Sequence, residues 1–151
     1  MSKFAHIVNP EALDESSDLF VAQQVSFETM KASKEYTKCK VNVELFTAQY
    51  IEDRHMVPDG FTPTSDLDRS VLEIVKSSSK RKLPLITDIL NRLYEVSEAD
   101  YLIYTNVDIA VMPYFYVAAN NIIKCGNDAF TINQRTVSKE HNMDRSMPKY
   151  A

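Results

Sequence analysis

A chain of 151 residues is long enough to bury one core of ordinary size and too short for two large ones. Hydrophobic residues make up 44% and charged residues 25%, a globular balance that excludes intrinsic disorder. The formal net charge of -4 gives the molecule as a whole no electrostatic attraction for nucleic acid or an anionic membrane.

Phe4-Ala5-His6-Ile7-Val8 reads as a short apolar strand that Asn9-Pro10 brings to a polar stop. Asp14 to Asp18 offers N-caps and first-turn acids. Leu19, Phe20, Gln23, Phe27, Met30 and Lys31 then follow at helical spacing, predicting a helix from about Ser17 to Tyr36. Val41 to Phe46 alternates and is rich in strand formers, so a second strand is expected there. Tyr50 to Ser65, with Pro58, Gly60 and Pro63, reads as an extended loop. Asp66 is placed to cap a helix through Leu67, Val71, Leu72, Ile74 and Val75.

The basic, serine-rich run Lys76 to Lys82 connects to a helix that Pro84 opens and Leu85, Ile86, Ile89, Leu90, Leu93 and Tyr94 continue. Tyr101 to Thr105 is apolar enough to be a buried, central strand, and Asn106-Val107-Asp108 forms its polar exit. Pro113 starts a helix reaching Cys125, with Gly126-Asn127 as its C-terminal turn. Ala129 to Asn133 is expected as a fourth strand. The expected organisation is one α/β domain over residues 1–133 and a polar C-terminal loop or tail over 134–151.

Alternating strands and helices imply a three-layer α/β/α fold with a mostly parallel central sheet. Ligands in such sheets sit outside the carboxyl ends of the strands, which selects Asn9-Pro10, Thr47 to Asp53 and Asn106 to Asp108. The chain has two glycines, Gly60 and Gly126, far too few and too scattered for a dinucleotide fingerprint or a Walker loop. Cys39 and Cys125 lack zinc or redox spacing and fit a reducing compartment. The opening residues are too short an apolar run for a signal peptide, and no run approaches a membrane span, so a cytoplasmic location is expected.

A carboxylate at the mouth of a buried strand calls for a metal, a cation or backbone amides, and Asp108 has this position. Asn106, two residues earlier, adds an oxygen of the kind that suits Mg²⁺ or Mn²⁺ bridging a diphosphate. The plainer reading of Asp108 is a turn cap before the next helix. Lys82 ends a run suited to neutralising phosphates, or to a solvated linker. Asp53 follows the second strand, where a base or ribose contact is expected. Asp88 and Asn91 share a helix face directed at the crevice or at water. His6, inside a strand, reads as a packed core histidine. Tyr114, Phe115 and Tyr116 read as packing at a helix start.

The helix Leu83 to Asn91, followed by Ala99-Asp100-Tyr101-Leu102-Ile103-Tyr104-Thr105-Asn106-Val107-Asp108-Ile109, resembles the A-type glycosyltransferase fold. In that family a strand ends in an aspartate-x-aspartate motif that holds a divalent cation on the diphosphate of a nucleotide sugar. Ile7-Val8-Asn9-Pro10 is similar to the family's first strand, whose end borders the nucleotide. The resemblance runs from about Phe4 to Asn133 in element order.

It implies a glycosyltransferase, or its donor-binding part, that transfers a sugar from a nucleotide-diphosphate sugar to an acceptor hydroxyl. Asp108 would be the metal residue, with Asn9, Pro10, Asp53, Lys82, Asp88 and Asn106 around the donor. The chain departs from the motif in having Asn106 where the family has its first aspartate. The short remainder beyond Asp108 suggests a donor-binding half, a fragment or a compact variant. It offers Glu140, His141 and Asp144, none of which is nominated as a catalytic base.

Two other classes compete with this reading. A receiver-like signalling module also carries an aspartate after a central strand, followed here by Met112-Pro113, but it needs an acidic pair where this chain has Asn9-Pro10. A non-catalytic α/β interaction domain would keep the fold without the chemistry.

Overall fold

The computed structural model describes residues 1–74 and 82–136. The fold is α/β, with a four-stranded, all-parallel sheet flanked by helices. The elements are β1 (Lys3–Val8), α1 (Asp18–Thr37), β2 (Asn42–Thr47), β3 (Thr62–Pro63), α2 (Val71–Ile74), α3 (Ile86–Val96), β4 (Tyr101–Tyr104) and α4 (Phe115–Lys124). A 3₁₀ helix covers Ile51–Met56. No helix among the described residues is long and apolar enough to cross a membrane.

The strand order is β3-β2-β1-β4. β1 pairs with β4 in the register Phe4 with Tyr101 through Ile7 with Tyr104. The chain leaves β1 toward β2 on one side and later returns to β4 on the other. The topological switch point therefore lies between β1 and β4. β1 is buried from Phe4 to Val8, as a strand with neighbours on both sides should be.

The compact units are two, and both β1 and β2 contribute to each. One gathers Phe4–Leu13 and Glu44–Asn106, with a core of Ala5, Ile7, Phe46, Ala48, Tyr50, Leu67, Ile89 and Leu93. The periodicity of α3 explains its part in this core. Ile89 and Leu93, four apart, are fully buried, while Ile86, Tyr94 and Val96 face water. The other unit gathers Met1–Lys3, Asp14–Val43 and the described residues from Val107 onward. There α1 packs against α4. Ser17 caps α1, its extended backbone letting the hydroxyl accept from the Leu19 amide at 3.2 Å. Gly126 closes α4 at a φ of 92°, a conformation suited to glycine.

Several expectations need correction. The strand at Tyr101 is neither buried nor central: β4 is at the edge of the described sheet, half-buried, with Leu102 39% exposed. An apolar run reports burial on some face, but the number of neighbouring strands is set by the rest of the chain. Ala129 to Asn133 forms no strand and lies exposed, because alternation makes a strand only where another strand takes its backbone groups.

The loop from Tyr50 to Ser65 has more structure than expected. Besides the 3₁₀ helix and β3, the Phe61 amide reaches the Pro58 carbonyl at 3.2 Å. Gly60, at a φ of 87°, supplies the left-handed corner of this turn. Asp66 caps no helix. α2 starts five residues later, where the Glu73 carboxylate reaches back to the Ser70 amide at 2.9 Å. Pro84 lies just outside α3, whose N-cap is Leu85. Val75, the run from Lys76 to Arg81, and Glu140, His141 and Asp144 lie outside the described residues.

Candidate functional site

Three strand ends build the candidate region in the unit that contains Asn9 and Asn106. Where β1 ends, the Asn9 carboxamide donates to the Ala48 carbonyl at 2.7 Å, tying the exit of β1 to that of β2. Pro10 is buried beside it. Further along, the Ala12 amide donates to Asp53 Oδ1 at 2.8 Å. Asp53 is thus a buttress for the Asn9 loop, 7% exposed, and burial raises its carboxyl above the ordinary range.

At the switch point the two strands are pinned by side chains as well as backbone. His6, fully buried in β1, meets the Thr105 hydroxyl at 2.9 Å through Nε2. The Thr105 amide extends the ladder to the Ile7 carbonyl at 3.4 Å. Burial holds the His6 imidazole neutral, lowering its pKa to about 3. The core-histidine expectation is correct for His6. One residue on, Asn106 is exposed, and its carboxamide oxygen accepts from the Tyr104 hydroxyl at 3.0 Å.

The end of β2 carries a denser network. Thr47 donates to the Gln49 oxygen at 2.8 Å, and the Gln49 amide nitrogen reaches Thr64 O at 3.0 Å and Asp66 Oδ1 at 3.2 Å. The Arg54 guanidinium binds Asp66 at 2.8 and 2.7 Å and holds its carboxyl below the usual carboxylate range. Gln49, Arg54, Val57, Pro63 and Thr64 line a shallow pocket of about 250 Å³.

Lys82 and Asp88 meet this segment indirectly. Lys82 Nζ pairs with Glu52 at 2.7 Å and lies 3.8 Å from the centre of the Tyr50 ring. The Tyr50 hydroxyl donates to the Arg69 carbonyl at 2.8 Å. Burial, reinforced by nearby carboxylates, pushes its pKa up to about 12. Arg69 in turn grips Asp88 in a two-pronged pair and holds that carboxyl below its ordinary value.

Asn9, Pro10, Asp53, Lys82, Asp88 and Asn106 therefore share one compact unit, Asn9, Pro10 and Asn106 just beyond strand ends, Asp53 in the 3₁₀ helix after β2, Lys82 ahead of α3 and Asp88 in its first turn. Asp108 belongs to the other unit and is exposed, so no cost of burying a carboxylate arises there. Its loop is anchored on α1. The Val111 amide donates to Thr29 Oγ1 at 3.1 Å, and the Ser33 hydroxyl donates to the Pro113 carbonyl at 3.0 Å.

Sequence reasoning overlooked Gln49, Tyr50, Arg69, Thr29 and Ser33. The last two carried a legible signal. Ser26, Thr29, Ser33 and Thr37 recur at helical spacing on what should be an apolar face, and all four are buried.

Among the described residues no three His, Cys, Asp or Glu side chains converge as a ready-made metal centre. Comparison with protein-family models, curated proteins and solved structures finds no match to this chain. The fold therefore defines a class, an α/β domain on a four-stranded parallel sheet.

Proposed function

We propose that this chain binds a nucleotide-diphosphate sugar at the carboxyl ends of its strands, as a glycosyltransferase or its donor-binding part. The observation that carries the reading is the switch point between β1 and β4. Parallel sheets bind ligands in the crevice outside such a point, and here Asn9 and Asn106 stand at the two strand exits. Asn9, Pro10 and Asp53 would border the nucleotide and Asn106 would face the diphosphate; Asp108 is proposed as the carboxylate for the cation. A divalent cation, Mn²⁺ or Mg²⁺, would supply neutralisation of the charge that builds on the leaving diphosphate. The chain's own task is to hold the donor still and to orient its anomeric carbon toward an acceptor hydroxyl.

Titration calorimetry with UDP, GDP and their sugars, with and without Mn²⁺, tests this reading. Binding of at least one nucleotide is expected, strengthened by Mn²⁺ and weakened about tenfold (~1.4 kcal/mol) by Asp108→Ala. No binding of any nucleotide, or binding indifferent to both Mn²⁺ and Asp108→Ala, contradicts it.

One observation favours a second reading, a non-catalytic α/β interaction domain. Asp53, Lys82 and Asp88 are each engaged by a partner within the chain, Ala12, Glu52 and Arg69 respectively. Failure to bind nucleotide under all these conditions would favour it. A receiver-like module would instead accept phosphate from acetyl phosphate on Asp108.

A further inference from the structure

We propose that β4 is the contact strand of a homodimer, its open edge pairing antiparallel with β4 of a second copy while the two α3 helices pack across the seam. The inference stands on the sheet edge and needs no ligand at the strand exits.

The two edges of the sheet are built differently. β3 is two residues long and ends in Pro63, which has no N–H to offer a neighbour. β4 reads Tyr101-Leu102-Ile103-Tyr104, without proline, glycine or charge, and no strand among the described residues pairs with its outer side. The Thr105 amide donates inward, to the Ile7 carbonyl. Backbone groups alternate sides along a strand, so those of Leu102 and Tyr104 turn to the outer edge. An apolar edge of this kind is a template for another strand.

Side chains widen the edge into a surface. The register sets Leu102 beside Ala5 and Tyr104 beside Ile7, on the face that packs against Ile89 and Leu93 of α3. Leu102 is nonetheless 39% exposed. α3 has unlike flanks on either side of its buried stripe. Asp88 and Arg92 form one, paired with Arg69 and Asp68. Those partners follow Leu67, whose amide donates to the Gln49 carbonyl at the exit of β2, so this flank faces β2. Leu90, half-buried, and Tyr94, 77% exposed, form the opposite flank and turn toward the open edge.

A second copy fits this surface because the surface complements itself. With the two Ile103 residues opposite each other in an antiparallel seam, Leu102 lies across from the partner's Tyr104. Asp100 then falls across from the partner's Asn106, so no carboxylate meets its own copy. Packing of Ile89 and Leu93 on Ala5, Ile7 and Tyr104 sets α3 over β1 and β4. Two strand spacings therefore separate the two α3 axes, about 10 Å, which is the distance at which helices pack. The apolar flanks of α3 then cover each other and Leu102.

Sedimentation velocity and amide hydrogen exchange of the full chain test the proposal, under reducing conditions because Cys39 and Cys125 are exposed thiols. A dimer is expected to grow in with concentration, and exchange at the Leu102 amide to slow in step with it. The Ile103 amide, which faces β1, should be slow throughout. Leu102→Lys sets a solvated charge in the seam and is expected to abolish the dimer while Ile7 keeps its native resonance. Should that variant fail to fold, Tyr94→Lys, at an exposed helix position, should remove the dimer over the same concentration range.

In a chain also carrying Cys39→Ser and Cys125→Ser, Ile103→Cys is expected to form a disulfide between copies on oxidation. Directly opposed residues of a non-hydrogen-bonded pair have Cα atoms about 4.5 Å apart, within reach of the bond. A native chain that stays monomeric at every concentration would overturn the proposal, as would a dimer that survives both lysine variants. Slow exchange at Leu102 in the monomer would assign the edge to a segment of the same chain and overturn it equally.

Discussion

Acidification from pH 7 toward pH 4 is expected to destabilise the protein with a slope approaching ~1.4 kcal/mol per pH unit from His6 alone. His6 is fully buried, and its pKa is lowered by that burial from 6.5 to about 3. An unfolded chain takes up a proton on this imidazole below pH 6.5, whereas the folded chain does so only near pH 3. The unfolded state thus binds more protons across that window, so stability is full above pH 6.5 and falls as the pH drops toward 3.

Paired carboxylates such as Asp88 and Asp66, held low by Arg69 and Arg54, add their loss only below the ordinary carboxylate range. Between about pH 6.5 and 5 the slope reports mainly on His6, opposed by Asp53, whose burial-raised carboxyl takes up its proton in the folded chain first. Urea unfolding at half-unit pH steps measures it. His6→Gln, which keeps a hydrogen-bonding end but does not titrate, should flatten the slope in that interval. An unchanged slope in His6→Gln would show that another group titrates there.

Leu93→Ala is expected to cost about 2–5 kcal/mol, a large part of the roughly 5–15 kcal/mol that holds a domain of this size together. Leu93 is fully buried among Ala5, Ile7, Phe46, Ala48, Tyr50, Leu67 and Ile89, so truncation removes apolar contacts and leaves a cavity that rigid strands are slow to fill. Ile86, on the same helix but 55% exposed, is the control, and Ile86→Ala should stay within about 0.5 kcal/mol of the native protein. A shifted urea midpoint with an unchanged denaturant slope is the signature sought. Equal losses from the two substitutions would mean that α3 does not dock through Ile89 and Leu93.

The fold was legible in the sequence wherever the pattern was local. Ser17 with its following helical spacing located α1 to within a residue, and the alternation from Val41 to Phe46 located β2. Gly126 marked the end of α4 through the one conformation glycine adopts most freely there. What was not legible depended on partners distant in sequence. Tyr101 to Tyr104 reads the same in the middle of a sheet as at its edge, and only the placing of β1 decides which it is. Phe130 and Ile132 alternate like strand residues, yet they are exposed.

The candidate site divides along the same line. Asn9, Asp53 and Asn106 lie near the strand ends that a parallel sheet selects, a consequence of element order alone. That Asp53 holds the Ala12 amide, or that Asp88 is gripped by Arg69, depends on contacts spanning 41 and 19 residues. The hydroxyl stripe of α1 was the readable exception. Its helical spacing was there to be read, although the sequence reading passed over it and the burial follows from the fold.

The central claim is that the crevice at the exits of β1 and β4 receives a nucleotide diphosphate. Amide NMR of the full chain, titrated with UDP or GDP in the presence of Mg²⁺, tests it most directly. Saturable shifts are expected at Asn9 and Asn106, and absent from Thr62 in β3 and from Thr64 just beyond it. Saturable shifts confined to Arg54, Val57 and Thr64, around the shallow pocket, or no shifts at all, would contradict it.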